Sequence, residues 1–555
     1  MKATKRIFSV FLTCVLAFTM AFAMGLTASA ADYTITITKP EGDIDRTYEA
    51  YQIFQGNLSG NTLSDIEWGT GINGAAFLDE LKKNAPFTSC TDAKTVAEKL
   101  ATFENNSDGA VAFAKLAGKF LTTATGSATA TSSATGKITV PAAGYYLLKD
   151  VTAVTDDALS LNILKVVKDV TVNPKADHPT VDKKIGTDIT TGAAANEATI
   201  GDKVPFVIAS KVPQMQGYTK YFFVLKDSMT AGLTYNKDVA IKIGATTLAA
   251  DAYDVTYDDT ANTMKIAIKN FIQYKNEVGK DIVVTYSATL NEKADLTQAG
   301  NKNTVKLTYS NNPNVDYKGD NEPDTTDPVG ETPEHVTVTY STKLQLTKVD
   351  GADKNVKLEG VEFQITGTSI KTAVSKGEYF KQDAAGTYYQ LKDGTFTETA
   401  PTTETGSKYV STSVKYAKVT DTAEQTKMQK VTASGTTDAN GLITFEGLGA
   451  GTYYITELKA KSGYNLLTAP ITVVITATPG TTSCTWTATI NGENATFADN
   501  MVKLTVENNK GSDLPITGGI GTTIFYVIGG LLVCGAVVMA ITKKKLSVED
   551  KADQN

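Results

Sequence analysis

Three short segments of alternating residues, each ending in lysine, recur along this chain and constrain its fold more than any other feature. They read ITITK at 35–39, TVDKK at 180–184 and LQLTK at 344–348. Because successive side chains of a strand point to opposite faces, such segments predict strands with one apolar face. The first and third blocks also share a late strand, AGYYLLK at 143–149 and AGTYYITE at 450–457. The repetition predicts three related β-sandwiches in tandem.

The composition agrees with a mainly β chain. Thr, Val, Tyr and Gly are abundant, and short alternating segments separated by turn residues run through most of the sequence. One region differs, because 75–83 and 93–121 carry an approximate apolar stripe at helical spacing, broken near 105–109. It predicts a helical insertion in the first sandwich. The net charge of −7 and the lack of a basic patch argue against a nucleic-acid partner.

Both ends of the chain carry apolar segments that predict export and membrane insertion. A basic start and an apolar run at 7–24 precede a small-residue pattern, which predicts a signal peptide cleaved between Ala30 and Ala31. At the other end, the apolar run at 520–541 has about the length of a membrane-spanning helix. Three lysines follow it and would hold that end in the cytoplasm.

Five residues directly before this run add a processing signal: Leu514, Pro515, Ile516, Thr517 and Gly518. Together with the apolar run and the lysines, LPITG resembles the cell-wall sorting signal of Gram-positive surface proteins. The resemblance implies that a sortase cysteine cuts between Thr517 and Gly518, holds the threonine as a thioester and passes it to an amine. It also implies a secreted protein that ends covalently attached to the cell wall after a transient membrane intermediate.

A candidate amine lies at the end of the first block, in the sequence Val172-Asn173-Pro174-Lys175. Read locally, Lys175 is an exposed lysine in a linker. In a chain with LPITG, the segment resembles the pilin motif of sortase-assembled pili, whose lysine attacks the thioester on the next subunit. The resemblance implies that Thr517 of one subunit is joined to Lys175 of another, in a head-to-tail contact that does not close.

The third block resembles the collagen-adhesin B-type domain, an inverse immunoglobulin-like sandwich. The motifs that carry the resemblance are LQLTKVD at 344–350, GLITFEGLGAGTYYITE at 441–457 and VENNKG at 506–511. In that family a lysine of the first strand and an asparagine of the last form an intramolecular isopeptide bond, helped by an acid. The resemblance implies that Lys348 and Asn508 form the bond and that Glu457 is the acid.

Burial explains why this chemistry is possible. Away from water, the charged forms are disfavoured, so the lysine loses its proton and the carboxylic acid keeps one. The neutral amine can then attack the asparagine carbonyl while the acid polarises it and shuttles protons, with ammonia leaving. By analogy with disulfides, a tie across so long a loop stabilises by roughly 5 kcal/mol. Pulling force would pass through the bond without unzipping the strands between.

The second block resembles the A-type variant of this domain, in which an aspartate usually replaces the glutamate. The resemblance implies Lys183, Asp227 and Asn303. Alternation places Lys183 inward, although a bulge or register slip leaves Lys184 and Asn301 as alternatives.

The first block departs from the pattern. Aligned on the two tyrosines of the shared late strand, Lys149 stands where the third block has Glu457. The acid is then missing, and no bond between Lys39 and Asn173 is expected.

These features divide the chain into five segments. They are a signal peptide at 1–30, an N-terminal pilin domain with a helical insertion at 31–174, an A-type sandwich at 175–335, a B-type sandwich at 336–510 and a sorting signal at 511–555. The acidic, Pro- and Thr-rich stretch at 316–334 is interpreted as a solvated linker or extended edge segment, and 367–435 as a polar insertion. Cys90 and Cys484 remain in the exported part, in different domains, and are not expected to pair.

The resemblance covers nearly the whole chain and implies the shaft-forming subunit of a sortase-assembled pilus. The implied partners are a pilus-specific sortase, a housekeeping sortase, identical subunits, tip and base pilins, and peptidoglycan. The alternative is a wall-anchored adhesin or accessory pilin present as a single copy, with 367–435 as its binding surface. An enzyme is not expected, because the histidines, His178 and His335, lie in apparent linkers. No metal site or cofactor is expected.

Overall fold

The computed structural model describes residues 32–39, 45–104, 107–131, 133–152, 161–172, 179–402, 408–422, 425, 434–511, 532–533 and 536. Strands account for 48% of the structure and helices for 10%, so the predicted mainly β fold class is confirmed. Among them, no helix is long and apolar enough to cross a membrane. The predicted signal peptide, Lys175 and the LPITG segment lie outside the described residues, as does almost all of the predicted membrane span.

The chain forms two compact units. The first takes its described residues from 1–342, 447–450 and 476–486, and the second from 343–446, 451–475 and 487–555.

The described residues of the N-terminal part of the first unit form two sheets, three α-helices and a short 3-10 helix at Phe87–Ser89. The sheets have the strand orders β5-β1-β8 and β3-β2-β6-β7, with β4 paired to β2. The elements are β1 (Tyr33–Ile37), β2 (Arg46–Ser59), β3 (Thr62–Trp68), α1 (Gly74–Leu81), α2 (Ala93–Leu100), α3 (Asp108–Ala117), β4 (Gly126–Ala130), β5 (Gly136–Val140), β6 (Gly144–Asp150), β7 (Leu161–Val166) and β8 (Val170–Val172).

The helical insertion predicted from the sequence is confirmed. The side chains of Asn73, Asp92 and Ser107 each accept a backbone N–H in the first turn of a helix, which fixes where α1, α2 and α3 begin. Phe77 of α1 and Phe113 of α3 pack together with their ring centroids 5.3 Å apart. The helices therefore bury an aromatic core against the sheet.

The rest of the first unit is a sandwich of two larger sheets. Their strand orders are β15-β14-β18-β11-β9, with β13 paired to β18, and β10-β21-β19-β12-β17-β16, with β20 paired to β19. The strands are β9 (Asp182–Ile185), β10 (Ala195–Glu197), β11 (Lys203–Lys211), β12 (Phe223–Met229), β13 (Leu233–Tyr235), β14 (Ala240–Ile243), β15 (Thr246–Thr247), β16 (Tyr253–Asp258), β17 (Thr263–Ile268), β18 (Asp281–Leu290), β19 (Asn301–Ser310), β20 (Val329–Glu331) and β21 (His335–Tyr340). Inward-facing side chains of both sheets form one apolar core.

The acidic stretch at 316–334 is attached to this unit by its carboxylates. Asp316 is paired with Lys115 and Lys119, and Glu331 with Lys226 and Lys306. The interpretation as a solvated segment missed these lysines, because they come from other parts of the sequence. Part of the stretch does form an extended edge segment, because β20 pairs with β19.

The second unit has sheets of order β30-β22-β36-β35 and β29-β23-β31-β32-β33-β34, with the outer parts of β32 and β33 belonging to the first unit. The polar insertion adds a sheet β24-β25-β28 and a hairpin β26-β27. The strands are β22 (Thr342–Asp350), β23 (Glu362–Gly367), β24 (Thr372–Ser375), β25 (Glu378–Gln382), β26 (Tyr389–Gln390), β27 (Phe396–Thr397), β28 (Tyr416–Val419), β29 (Ser434–Thr436), β30 (Leu442–Leu448), β31 (Gly451–Lys459), β32 (Ile471–Pro479), β33 (Cys484–Ile490), β34 (Glu493–Asn494), β35 (Thr496–Ala498) and β36 (Met501–Asn508).

Candidate functional sites

In the first unit, a lysine, an aspartate and an asparagine meet inside the sandwich. Lys183 of β9 comes from one sheet, and Asp227 of β12 and Asn303 of β19 come from the other. Lys183 Nζ donates to Asp227 Oδ2 at 2.5 Å and to Asn303 Oδ1. All three residues are at most 2% exposed. The structure thus brings together the residues implied by the A-type resemblance.

Lys184 and Asn301, the alternative residues for this site, make other contacts. The side chain of Lys184 is 30% exposed and lies 4.0 Å from Asp182. The side-chain amide of Asn301 donates to the carbonyl oxygens of Asp295 and Thr339 and accepts the N–H of Asp295. Asn301 therefore holds the backbone around β19 and does not contact the lysine in these hydrogen bonds.

Burial sets the charge state of the first site. Desolvation lowers the pKa of Lys183 to about 8, against the opposing attraction of Asp227. Desolvation likewise raises the pKa of Asp227. Among the described residues, Asp227 Oδ1 has no hydrogen-bond partner. Both shifts lower the free-energy cost of a neutral amine beside a neutral acid, which is the state that nucleophilic attack on an amide needs.

In the second unit, a similar group lies between β22, β31 and β36. Lys348 Nζ donates to Asn508 Oδ1 at 2.5 Å, and Asn508 Nδ2 donates to Glu457 Oε1 at 2.6 Å. Glu457 Oε2 is 3.8 Å from Lys348 Nζ. Desolvation lowers the pKa of Lys348 to about 8. β22 and β36 are parallel neighbours, so a bond here would link the first and last strands of the unit.

The N-terminal sheets contain a buried acid that the sequence comparison missed. It placed Lys149 at the position of Glu457, but Lys149 is half-buried and Asp150 is the buried residue. Tyr48 stands opposite Asp150 in the β2–β6 register, as Phe363 stands opposite Glu457 in the β23–β31 register. Because the strand face alternates with every residue, the counterpart of Glu457 is Asp150 and not Lys149.

The cation beside Asp150 is an arginine. Arg46, at the start of β2, lies 2.8 Å from Asp150, and both side chains are at most 2% exposed. Lys39, the lysine of the first alternating segment, pairs instead with Asp45 at 2.9 Å. Asn173 lies outside the described residues.

Tyr286 is a further member of the first site that the sequence reasoning did not select. Its hydroxyl donates to Asp227 Oδ2 at 2.7 Å and accepts from Asn303 Nδ2 at 2.8 Å. The alternation of β18 turns it inward with Val284 and Ala288, so strand periodicity could have placed it in the core. Among the described residues, no group of three or more His, Cys, Asp or Glu residues is arranged to hold a metal ion.

Comparison with known proteins agrees with this architecture. Residues 342–490 match the family model described as the SpaA prealbumin-like fold domain. Residues 200–313 match the one described as Gram-positive pilin backbone subunit 2, Cna-B-like domain. The fold and the matched domains define a protein made of tandem prealbumin-like sandwiches.

Two relatives extend the match over most of the chain. The trypsin-resistant surface T6 protein of Streptococcus pyogenes serotype M6 is 25% identical over 400 residues, which cover 67% of this chain and 70% of that protein. The solved structure of the T6 backbone pilin of serotype M6 Streptococcus pyogenes has the same fold, with a TM-score of 0.52 and 16% identity, covering 87% of this chain and 100% of the other. Residues 200–313 thus match a pilin backbone domain, and over most of its length the chain has the fold of a backbone pilin of Gram-positive pili.

Proposed function

We propose that this backbone pilin is polymerised by a sortase that joins Thr517 of one subunit to Lys175 of the next. The observation that carries the proposal is the pair of buried Lys–acid–Asn sites in a protein with this fold. A shaft made of single molecules in series must transmit force through every subunit, and an internal covalent tie does so without unfolding the sandwich. The sorting signal and the pilin motif then supply the acyl donor and the amine.

The internal bonds proposed are Lys183–Asn303 and Lys348–Asn508. In each, the neutral amine attacks the side-chain carbonyl carbon, the new C–N bond forms and the old C–N bond breaks with loss of ammonia. Asp227 and Glu457 act as the acids that receive and return protons. Each reaction happens once during maturation, so the protein performs no turnover and needs no cofactor.

We further propose that a housekeeping sortase attaches the finished polymer to peptidoglycan, and that tip and base pilins complete it. The segment boundaries proposed are 1–30, 31–174, 175–335, 336–510 and 511–555, with processing between Ala30 and Ala31. Because β21 (His335–Tyr340) pairs with β19, the A-type sandwich continues a few residues past 335.

The test for polymerisation uses the native producer. In Lys175→Ala, the ladder of high-mass polymers in cell-wall extracts should be lost, because the attacking amine is missing. Lys168→Ala, which removes an exposed lysine seven positions earlier, is the matched control and should leave the ladder intact. Mass spectrometry of the wild-type ladder should find a branched peptide joining Thr517 to Lys175. A ladder that persists in Lys175→Ala contradicts the linkage, and Thr517 found only on peptidoglycan favours the single-copy adhesin.

The internal bonds have a separate test. The full chain should be lighter than its sequence mass by two molecules of ammonia, and peptide mapping should recover the two linked peptide pairs. An intact mass that equals the sequence mass contradicts both bonds.

A further inference from the structure

The two buried sites differ in what touches the nitrogen that must leave. In the second unit, the amide nitrogen of Asn508 donates directly to the acid, with 2.6 Å between Nδ2 and Glu457 Oε1. In the first unit, Asn303 Nδ2 donates to the Tyr286 hydroxyl at 2.8 Å, and that hydroxyl donates to Asp227 Oδ2 at 2.7 Å. A phenol thus stands between the leaving nitrogen and the acid.

We propose that Tyr286 is a catalytic residue of the first site, which relays a proton from Asp227 to Asn303 Nδ2 so that ammonia can leave. The inference rests on the proposed Lys183–Asn303 bond.

The relay is needed because an amide nitrogen leaves only after it gains a proton. In the planar amide, the nitrogen lone pair is delocalised, and Nδ2 is a donor to Tyr286. After Lys183 Nζ attacks Cγ, the carbon becomes tetrahedral and the lone pair of Nδ2 is released. The same 2.8 Å contact can then carry a proton in the opposite direction, from the hydroxyl to the nitrogen.

The protons balance over the three groups. Asp227 takes the proton that Lys183 Nζ gives up on forming the new bond. Tyr286 gives its own proton to Nδ2 and receives one from Asp227, so both residues end as they began. The new C–N bond replaces the old one, and the only product released is ammonia.

Burial makes Tyr286 the group that can do this. The residue is 3% exposed, and its ring stacks on Phe206 with centroids 5.4 Å apart, which fixes the direction of the hydroxyl. Desolvation and the neighbouring Asp227 raise the pKa of Tyr286 well above its usual value. The hydroxyl therefore keeps its proton until it can transfer it, and in so dry a site water is a poor substitute.

Side-chain length explains why only one site uses a relay. Aspartate is one methylene shorter than glutamate, and Oδ2 of Asp227 serves both Lys183 Nζ and the tyrosine. Glu457 reaches the leaving nitrogen itself, and its other oxygen accepts the N–H of Leu467 at 3.0 Å. The tyrosine thus makes up the missing length of the acid.

The test measures how fast each bond forms in the full chain. Chains made by cell-free translation are chased, quenched in denaturant at increasing times and digested, and the two linked peptide pairs are quantified. In Tyr286→Phe, which keeps the ring, the Lys183–Asn303 bond should form at least about 100-fold more slowly, the low end for loss of a proton-transfer group. The Lys348–Asn508 bond should form at the wild-type rate and serves as the internal control.

Two further variants separate catalysis from packing. Tyr235→Phe removes a hydroxyl from a buried ring 6.1 Å from that of Tyr286 and should leave both rates unchanged. Adding Asp227→Glu to Tyr286→Phe should raise the rate at which the Lys183–Asn303 bond forms at least tenfold over that of Tyr286→Phe alone, because a longer acid can reach Nδ2 directly. A purely structural role for the hydroxyl would not be rescued this way.

The possible results distinguish a failure of the tyrosine relay from a failure of the proposed Lys183–Asn303 bond. If the wild-type chain never loses ammonia at Lys183 and Asn303, the proposed bond itself is wrong. If the wild-type chain forms the bond and Tyr286→Phe forms it equally fast, the bond stands and the relay is overturned. A double variant no faster than Tyr286→Phe also overturns the relay.

Discussion

The N-terminal sheets and the two lysine sites each contain a buried acid, but the cation beside it differs. Asp150 faces Arg46, whereas Asp227 and Glu457 face lysines. A guanidinium keeps its proton under all ordinary conditions and cannot become a nucleophile. Each lysine has a pKa lowered to about 8 and can lose its proton at modest cost. The choice of cation therefore decides whether the tie can only be an ion pair or can become the proposed covalent bond.

A covalent tie and a buried ion pair stabilise a protein in different ways. A covalent tie acts mainly on the unfolded chain, because it limits the conformations available there. A buried ion pair acts in the folded state, where attraction offsets the desolvation of two charges, and it contributes little net stability. The first kind resists sustained pulling, and the second breaks as soon as its partners separate.

The largest expected effect is the loss of either covalent tie. Asn303→Ala and Asn508→Ala should each lower the free energy of unfolding by about 5 kcal/mol, because the lysine and asparagine are 120 and 160 residues apart and loop entropy grows slowly with length. Denaturant unfolding of the corresponding unit measures the loss, and intact mass confirms that one ammonia is retained. Lys184→Ala, beside the reactive lysine, is the control and should keep the bond. A loss below about 1 kcal/mol would contradict a covalent tie.

A slightly smaller effect is expected when the arginine pair is broken. Arg46→Met should cost about 3–5 kcal/mol, because it leaves the Asp150 carboxylate buried without its counter-charge, with the N–H and hydroxyl of Thr152 as donors. Replacing both, with Arg46→Met and Asp150→Leu, should recover most of that loss, since no charge then remains to be desolvated. Thermal unfolding of the N-terminal part measures both. If the double variant is as unstable as the single one, the pair contributes through something other than charge compensation.

Much of this could be predicted from strand periodicity, and the failures have a common cause. Strand alternation placed Lys183 in the core, the repeated segments predicted tandem sandwiches, and apolar residues at helical spacing predicted one helical insertion. Alternation could not separate Asn301 from Asn303, because both face inward on β19 and only their height along the strand differs. Tyr286 and Arg46 were missed because each lies on a strand that is distant in sequence from the acid that it contacts. A single sequence shows which face a residue occupies but not which residue stands across from it.

The prediction for Asp150 failed for the same reason. Aligning the late strands on their tyrosine pairs matched Lys149 to Glu457, although the residue on the buried face is Asp150. A shift of one residue reverses the face of every side chain in a strand, so a short motif with a one-residue length difference is easily misaligned. The register with β2, which only the structure gives, settles the position.

The pH dependence of an unlinked site should reveal its free lysine. In Asn508→Ala, Lys348 remains an amine with a folded-state pKa of about 8, below its ordinary value of 10.5. Between these two values the unfolded chain binds a proton that the folded chain does not. The free energy of unfolding should therefore rise with pH from about 8 to 10.5, by at most about 1.4 kcal/mol per pH unit.

The control for this slope removes the titrating group. Lys348→Met combined with Asn508→Ala should show no rise over the same range, and neither should the wild type, because the proposed bond places its Lys348 nitrogen in an amide. Denaturant unfolding at pH 7 to 10.5 measures all three. An equal slope in the double variant would assign the titration to another residue.

The smallest effect is expected from charges that are paired outside the buried sites. Glu331 accepts from Lys226 and Lys306 at 2.7 and 2.6 Å, but its side chain is 28% exposed, and both lysines are more exposed still. Glu331→Gln should cost about 1 kcal/mol or less, since water competes for all three charges. Against the desolvation that opposes them, hydrogen bonds from the two lysines and Thr308 lower the pKa of Glu331 to about 2. This contribution is therefore present above pH 4.5 and is lost as the pH falls towards 2. Glu334→Gln, which makes the same charge change at an exposed position, is the control for denaturant unfolding. A cost near that of Arg46→Met would mean that burial does not set the strength of ion pairs here, and the contrast between buried and exposed pairs would fail.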